Sequence, residues 1–526
     1  RLDDVHPAGE AWSEGNLVRP LIHGATYFAE LYERLEGTRK GDLVLFTDWQ
    51  GDADERLTGE PGSEVVDVLA RADERGVDVR GLVWRSHWEA FGFTAGENRR
   101  LGRDLQRRGA EALLDMRVRT GGSHHQKMVV IRYADDPTRD IAYVGGIDLC
   151  HSRRDDVEHH GDPQALTMAG EYGDTPPWHD IQAAISGPAV RDVETVFRER
   201  WEDPTPLSRN PFLVAHDRLR GMDISPDPMP EQAPAPPAVP AEDGGTHVVQ
   251  LLRTYPNLRH GRDFPFARGG ERSVARGYTK AIAKARRLIY VEDQYLWGHH
   301  VGDVFLDALR ENPELHVVAV VPAYPDLAGA SRVPQLLGRR RAMLDMVRVA
   351  PDRVAIYGIE NHAGTPVYVH AKTCVVDDQW ATIGSDNFNR RSWTHDSELS
   401  AVVVDRDRGA GDDHSSYARR IRLALAAEHL DRPFDTEVDA SDDASLLSVM
   451  ADCVDPDGMY RAYAESAAAL DAWHDGGRVG ERPSGRLRRL DPPELGPVAR
   501  LLALPAYLVL HDPDGRPGPL KKKGGF

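Results

Sequence analysis

The sequence predicts an α/β protein of two tandem, pseudo-symmetric lobes, each an α/β/α sandwich, with one active site at the interface between the lobes. Each half of the 526-residue chain has apolar strands that alternate with amphipathic helices. The first strand of each half and a short His-x-Lys motif also recur at one spacing of 245 residues, from 43 to 288 and from 125 to 370. A shared spacing of strand and motif indicates an internal duplication.

The first half begins with a helical stretch over residues 26–35 and an apolar strand over 43–48. A helix over 63–75 and a second strand over 77–84 follow. Strands without polar alternation are buried on both faces, which is typical of parallel strands covered by helices.

The second half repeats this order of elements. Its predicted elements are a helix over 278–286, a strand over 288–293, a helix over 304–312 and a strand over 315–321. The register between the halves shifts only after the motif, where residues 134–138 have a turn composition and lengthen the first hairpin. We therefore expect two lobes of the same topology that differ in one hairpin tip.

A proline-rich segment over residues 222–247 separates the two halves. It contains hardly any large apolar side chain, so it is unable to form a core and is predicted to be an extended, semi-rigid linker. A chain of this length also exceeds what one hydrophobic core supports. We accordingly place the first lobe at residues 1–221 and the second lobe at residues 248–430.

Residues 431–526 are predicted to form a C-terminal extension that packs on the core. Helical alternation of apolar residues over 462–473 and an apolar run over 501–510 support this prediction. Neither segment carries a motif that indicates a separate enzyme.

The composition narrows the class of protein. A hydrophobic fraction of 40% and a charged fraction of 28% are typical of a soluble globular protein. No run approaches the roughly 18 apolar residues that span a bilayer. The formal net charge of −19 disfavours a nucleic-acid-binding protein, because a phosphate backbone requires a basic surface. We expect a monomer without a nucleic-acid partner.

Each half contributes one imidazole and one ammonium group, from His125 and Lys127 in the first and from His370 and Lys372 in the second. We predict that each pair lies in a strand, where residues two apart share a face, so that both groups point into one site. This combination fits a phosphodiester. One neutral imidazole attacks phosphorus, a second, protonated imidazole protonates the leaving oxygen, and the lysines stabilise the phosphoryl oxygens.

An imidazole in such a site also needs a carboxylate that fixes its tautomer. Asp180 and Glu398 open strands at matching places in the two halves and are the predicted partners. Small residues after each motif, Gly146 and Ser385, are predicted to let the backbone approach a phosphate.

The predicted phosphate-binding set is larger than these two small residues. Asp148 and Asn387 follow the small-residue turns at equivalent positions in the two halves. We place both, with Gly146, Ser385 and the two motif lysines, in the phosphate-binding set.

The motifs resemble those of the phospholipase D superfamily, in which H-x-K-x4-D precedes G-G or G-S and then Asn or Asp. The second copy matches throughout, with Asp377 as the motif aspartate, for which we expect a structural role. The first copy has Arg132 at that position. Either Asp135 or Asp136 in the longer hairpin tip replaces this contact, or the contact is absent.

Further blocks resemble the catalytic core of plant and other eukaryotic-type phospholipases D. They lie at residues 145–155, 177–190, 289–295 and 387–398, within a region of about 20 to 430. The resemblance implies the phospholipase D fold.

The resemblance also implies an activity. It is hydrolysis of glycerophospholipids at a membrane or micelle surface to phosphatidic acid and the headgroup alcohol, through a covalent phosphatidyl-histidine intermediate. Water is the acceptor in hydrolysis, and an added alcohol is the acceptor in transphosphatidylation. His125 is the implied nucleophile and His370 the implied acid and base, although the near-symmetry of the sequence leaves this choice open. No metal or other cofactor is implied, because the lysines supply the positive charge.

Three alternatives stay open. A nuclease of the same superfamily is disfavoured by the acidic charge, and a phosphatidyltransferase of the cardiolipin synthase type usually carries membrane segments. A non-catalytic lipid-binding relic has no reason to keep both His-Lys pairs. The double histidine at 159–160 does not indicate a metal site, because no companion ligand lies at a suitable spacing.

The sequence leaves the localisation of the protein open. A soluble protein that is secreted and has lost its signal is compatible with the chain. A cytoplasmic protein with peripheral membrane contact is equally compatible with it.

Overall fold

The computed structural model describes residues 2, 11–87, 95–258, 262–296, 298–327, 329–405, 416–434, 443–523 and 525–526. These residues form two α/β lobes and a C-terminal extension, which confirms the predicted fold class. Among the helices in these ranges, none combines the length and the apolar character that crossing a bilayer requires.

The first lobe contains one mixed sheet with helices packed on it, and its shortest strand pairs outside that sheet. Its strands are β1 (Ser13–Ile22), β2 (Leu43–Asp48), β3 (Asp78–Trp84), β4 (Glu111–Asp115), β5 (Met128–Arg132), β6 (Ile141–Gly145), β7 (Trp178–His179) and β8 (Ile181–Ser186). Its helices are α1 (Gly24–Glu36), α2 (Val65–Glu74), α3 (Ala95–Gln106), α4 (Ala189–Trp201) and α5 (Pro211–Leu219). The sheet order is β4-β3-β2-β5-β6-β8-β1, in which β4, β3 and β2 are parallel and the later pairs are antiparallel.

The second lobe repeats this arrangement. Its strands are β9 (His247–Tyr255), β10 (Glu271–Arg272), β11 (Leu288–Glu292), β12 (His316–Val320), β13 (Val354–Glu360), β14 (Pro366–Val369), β15 (Thr373–Val376), β16 (Trp380–Gly384) and β17 (Glu398–Asp405). Its helices are α6 (Ser273–Ile282), α7 (His299–Glu311), α8 (Arg332–Val349), α9 (Arg390–Thr394) and α10 (Tyr417–His429). The sheet order β13-β12-β11-β15-β16-β17-β9 matches the first lobe strand for strand.

Alternate residues of each strand face two different cores. Val44 and Phe46 of β2 pack with α1, α2 and α3 in an outer core of the first lobe, whereas Leu45 belongs to a central core. The second lobe has its own outer core with α6, α7 and α8. The central core contains the inner faces of both sheets together with α4 and α10, and therefore joins the lobes into one apolar interior.

The proline-rich segment between the lobes lies along the first lobe. Its backbone carbonyl groups accept hydrogen bonds from side chains of that lobe, from Arg198 to Pro230 at 2.7 Å and from Arg132 to Pro234 at 2.6 Å. Prolines remove backbone donors but leave the carbonyls to be satisfied. The arginines thus hold residues 230–234 against the lobe, where the chain forms neither helix nor strand.

The C-terminal extension contains α11 (Asp443–Val449), α12 (Pro456–Asp475), β18 (Leu487–Arg489), α13 (Pro497–Ala506) and α14 (Gly518–Lys523). β18 pairs antiparallel with β13, and Met459 and Tyr463 of α12 are buried. The apolar run over 501–510 packs on α8 of the second lobe, with Ala503 and Tyr507 buried, but it exposes most of its large side chains on α13 and the π-helical turn after it. One face of the run therefore packs as predicted, while the exposure of its other face is not evident from apolar content alone.

In both lobes an aspartate links the hairpin tip after the motif to the start of a neighbouring strand, but the position of this aspartate differs. In the second lobe, the Asp377 carboxylate accepts backbone N–H groups of Arg286, Arg287 and Leu288 at 2.6–2.9 Å, which ties the β15–β16 tip to the start of β11. In the first lobe the positions of donor and acceptor are reversed. Asp42, just before β2, carries the carboxylate, and it accepts the N–H of Ala134 in the hairpin tip at 2.9 Å.

Arg132, which stands at the motif aspartate's position, is buried in ion pairs with Asp140 at 2.7 Å and Glu194 at 2.6 Å. Asp135 is exposed, and Asp136 caps the turn at Thr138. Of the two alternatives, replacement by one of these two aspartates is therefore wrong. The motif aspartate's own contact is absent from the first lobe, and Asp42, just before β2, ties the hairpin tip instead.

We expect Asp377→Asn to lower the free energy of unfolding by about 1–3 kcal/mol with little change in kcat, because it weakens three charge-assisted hydrogen bonds. Asparagine tolerates the left-handed backbone at this position, where φ is 50°. Urea unfolding measures the change. Asp135→Asn at the exposed tip of the first lobe is the matched control, and an equal loss in both variants would contradict a structural role specific to Asp377.

Candidate active site

The two motifs meet in one cleft between the lobes, with a volume of about 1780 Å³. His125 and His370 both line it. The prediction that each pair lies within a strand needs correction: both motifs occupy short connections that end where β5 and β15 begin. The buried strands that follow still anchor them, since every residue of β5 and β15 is buried.

Each imidazole is held by a carboxylate of the opposite lobe. His125 Nδ1 lies 2.9 Å from Glu398 Oε2, and His370 Nδ1 lies 2.7 Å from Asp180 Oδ2. The backbone repeats the exchange, because the N–H of His125 donates to Ser397 O at 2.9 Å and that of His370 donates to His179 O at 2.7 Å. Both predicted carboxylates thus contact a motif histidine, and each half-site is complete only in the presence of the other lobe.

This pairing determines which nitrogen is available for chemistry. A carboxylate at Nδ1 accepts the N–H of a neutral imidazole and leaves the lone pair on Nε2. Burial and the ammonium groups of the motif lysines hold the pKa of His125 well below its usual value of 6.5, and the same causes lower the pKa of His370. Both rings are therefore neutral at pH 7 before an anion binds.

The two lysines are buried beside the histidines. Lys127 Nζ donates to His125 O at 3.1 Å, and Lys372 Nζ donates to His370 O. Burial lowers the pKa of Lys372 to about 7, and the nearby Asp180 carboxylate only partly offsets this. A phosphate anion in the cleft would favour the protonated forms of both lysines and of one histidine.

The predicted phosphate-binding residues divide into two groups. Asp148 lies 3.5 Å from Lys127 Nζ and accepts the N–H of Trp49 at 2.9 Å, so it holds the lysine instead of contacting a phosphate. Gly146 leaves room for the Asp180 carboxylate, because a Cβ there would lie 2.2 Å from Asp180 Oδ1.

Ser385 Oγ likewise donates to Glu398 Oε2 at 2.5 Å. The placement of Asp148, Gly146 and Ser385 on the phosphate therefore needs correction, since they support the lysine and the two carboxylates. Asn387 lines the cleft and stays a predicted phosphate-binding residue.

Three residues of the site had no role in the sequence-based prediction. The buried Arg153 guanidinium lies 4.0 Å from the centre of the Trp178 ring, and that ring lies 4.9 Å from His370. Trp49 lies 6.0 Å from His125 on the other side of the cleft. Their signals in the sequence are weak, because single aromatic or arginine residues beside a motif are usually structural.

We expect kcat/KM of the free enzyme to be bell-shaped with an optimum near pH 7. Burial raises the pKa of Glu398 to about 7, so protonation below this value removes the acceptor that holds His125. Above pH 7, Lys372 loses its proton and its charge. A pH series of initial rates measures both limbs. Glu398→Gln should abolish the acidic limb, and an unchanged acidic limb in that variant would rule out Glu398 as its source.

The fold and this geometry define a two-lobed α/β protein with one duplicated His-x-Lys centre equipped for phosphodiester chemistry. The family model described as Phospholipase D matches residues 43–319, more than half of the chain. A second model, described as Cardiolipin synthase, PLD-like domain, matches residues 279–417. The chain therefore belongs to the phospholipase D family.

Several known proteins are similar to parts of this chain. Phospholipase D beta 2 of Arabidopsis thaliana is 26% identical over 59% of this chain and 43% of its own length. Phospholipase D alpha 1 of Cynara cardunculus is 26% identical over 61% of this chain and 50% of its own length. The chain thus spans about half or less of these relatives. The phosphatidylserine synthase of Haemophilus influenzae Rd KW20 is 15% identical, with a TM-score of 0.49, and the match covers 74% of this chain and 83% of that chain.

Proposed function

We propose that the protein is a phospholipase D that cleaves the distal phosphodiester bond of glycerophospholipids and transfers the phosphatidyl group to water or a primary alcohol. The observation that carries this proposal is the exposed apolar rim of the cleft. Phe212 and Leu510 line the cleft and are 82% and 61% exposed, and Leu166 and Leu327 are also exposed there. A phospholipid has acyl chains that an apolar rim can contact, whereas a nucleic acid has no such chains and does not need an apolar rim.

Cations accompany these apolar groups, as a phosphate headgroup requires. Arg153 and Arg391 line the same cleft, and the two motif lysines lie directly beneath the histidines. An amphiphile with an anionic phosphate and apolar tails matches both features together. The formal net charge of −19 further disfavours a nucleic acid.

An apolar surface extends from the cleft along the C-terminal extension. Helix α13 exposes Val498, Leu501 and Leu502, and the turn after it exposes Val509 and reaches Leu510 at the cleft. Exposed apolar patches that continue into a site mark an interaction surface. We assign this surface, which we call the apolar rim surface, to contact with a lipid bilayer or micelle.

The chemistry divides between the two imidazoles. When the anionic phosphate binds, His370 takes up a proton from solvent. Nε2 of His125 then attacks phosphorus, the bond between phosphorus and the headgroup oxygen breaks, and protonated His370 donates its proton to that oxygen. In the second step His370 takes a proton from water or an alcohol, whose oxygen attacks phosphorus as the bond to His125 breaks. Phosphatidic acid or a phosphatidyl alcohol leaves, and both histidines return to their initial states.

A panel of phospholipid micelles with and without ethanol tests the proposal. From phosphatidylcholine we expect free choline and phosphatidic acid, and with ethanol also phosphatidylethanol. Thin-layer chromatography separates these products. Degradation of plasmid DNA without turnover of any phospholipid would overturn the proposal in favour of a nuclease.

A second candidate is phosphatidyl transfer to a lipid alcohol, which the match to the cardiolipin synthase model over residues 279–417 favours. Phosphatidylglycerol as the only lipid distinguishes the two. Cardiolipin and free glycerol would be the main products of a synthase, whereas phosphatidic acid and glycerol are the products that we expect.

We expect Leu502→Asp on the apolar rim surface to weaken binding to phosphatidylcholine vesicles roughly tenfold, because inserting one leucine contributes about 1.5–3 kcal/mol. Hydrolysis of a short-chain, monomeric phospholipid should be unchanged. Vesicle co-sedimentation and a soluble-substrate assay measure these two quantities. Val479→Asp, at an 81% exposed residue beyond α12, is the control. Equal losses of vesicle binding in both variants would contradict a localised surface.

A further inference from the structure

A second cluster of ionisable side chains lies beside the active site, where the two lobes meet. His23, His159 and His179 of the first lobe surround the carboxylate of Glu428 on α10 of the second. All four side chains are buried. His179 directly precedes Asp180, the carboxylate that holds His370, so the cluster borders one half of the active site.

The donor atoms are close enough to share one ion. Nε2 of His23 lies 2.9 Å from Glu428 Oε2, and Nε2 of His159 lies 2.9 Å from Oε1. Nδ1 of His179 lies 3.3 Å from Oε1, and the four donor atoms all lie within 4.8 Å of one another. Tetrahedral zinc with bonds of about 2.0–2.2 Å separates its ligands by roughly 3.3–3.6 Å. Shifts of about an ångström would therefore be enough to bring these atoms around an ion.

Carboxylates also lie at the outer nitrogens of two of these rings. Glu292 Oε2 lies 2.7 Å from Nε2 of His179, and Asp155 Oδ2 lies 3.5 Å from Nδ1 of His159. Glu292 is itself fixed by His429 Nε2 at 2.8 Å. Histidines that bind a metal normally give their other N–H to a carboxylate, which orients the ring and makes it a stronger ligand. A cluster held together only by contacts between three imidazoles and one carboxylate would not require these additional carboxylates.

Electrostatics favour a cation in this cluster. Two carboxylates, Glu292 and Glu428, are fully buried there. Buried charge of this kind is stable only when it is paired or bound to a metal.

We propose that His23, His159, His179 and Glu428 form a closed site for a structural divalent transition-metal ion, with zinc as the best match to three imidazoles and one carboxylate. Four protein ligands leave no open position for a substrate, which is typical of a structural site. Because the ligands come from both lobes, the ion would fix the lobes relative to each other. The sequence did not indicate this site, because its four ligands are widely separated along the chain. The inference does not depend on the lipid substrate proposed above.

Metal analysis of the full chain tests this inference. The protein is dialysed against a chelator, then against excess Zn²⁺ or Co²⁺, and bound metal is counted after desalting. We expect about one equivalent per chain, a Tm that rises by several degrees with Zn²⁺, and the intense visible absorption of tetrahedral Co²⁺. No retained metal and an unchanged Tm would overturn the proposal and leave a metal-free ion-pair network.

Two neighbouring histidines provide a matched pair of variants. His159→Gln should lose the bound equivalent, whereas His160→Gln, at an exposed position, should keep it. If His159→Gln does not fold, the Co²⁺ spectrum of the wild-type chain still decides between nitrogen-rich tetrahedral coordination and an aqua ion. Stoichiometric metal that His159→Gln leaves in place would lie at another site and would also overturn the proposal.

Discussion

Replacing either motif histidine, in His125→Asn or His370→Asn, should lower kcat by about 10⁴-fold or more. Asparagine retains a polar side chain but offers neither a nucleophilic nitrogen nor a group that exchanges protons near pH 7. The effect should be equally severe at both positions, because one reaction uses both rings. Choline release from phosphatidylcholine micelles measures it.

The control for these variants is His160→Asn, which changes an exposed imidazole outside the cleft and should leave kcat unchanged. The double variant should be no slower than either single variant, since residues that act as a unit are not additive. A single variant with near wild-type kcat would contradict a route that needs both histidines.

Removing the charge of an orienting carboxylate, in Asp180→Asn or Glu398→Gln, should lower kcat by roughly 10²- to 10⁴-fold. The amide no longer selects the tautomer with its lone pair on Nε2, and it no longer stabilises the imidazolium that forms during the reaction. KM should change little for Asp180→Asn, because the carboxylate contacts His370 and is itself fully buried. Steady-state kinetics separate kcat from KM.

Asp174→Asn is the matched control, because Asp174 is an exposed aspartate in the segment that leads to β7. Circular dichroism of Asp180→Asn should match the wild-type spectrum. A large rise in KM with an unchanged kcat would instead place Asp180 in substrate binding and contradict its role in orienting His370.

The sequence was sufficient for those features that repeat or that depend on local periodicity. The shared spacing of β2 with β11 and of His125 with His370 predicted two similar lobes, and the sheets have the same strand order. The strand over 43–48 has the predicted bounds. Such features follow from burial of alternate or continuous apolar residues, which a single sequence displays directly.

The sequence did not predict the contacts between residues that lie far apart along the chain. Asp180 and Glu398 were predicted as orienting carboxylates, but their exchange between lobes depends on how the sheets pack against each other. Gly146 was predicted to approach a phosphate, and it instead makes room for Asp180. The exposure of residues 501–510 is equally a property of tertiary packing. In each case the residue type was informative, whereas its partner was set by residues far along the chain.

The central claim is that the two histidines act on one phosphorus through a covalent histidine intermediate, and trapping that intermediate tests it most directly. His370→Asn, incubated with a short-chain phosphatidylcholine and quenched at alkaline pH, should carry a phosphatidyl adduct on the peptide that contains His125. Mass spectrometry of the digest locates the adduct. An adduct found only on His370, in the His125→Asn variant, would exchange the two roles. Absence of any histidine adduct in both variants, while the wild-type enzyme forms phosphatidylethanol, would contradict the claim.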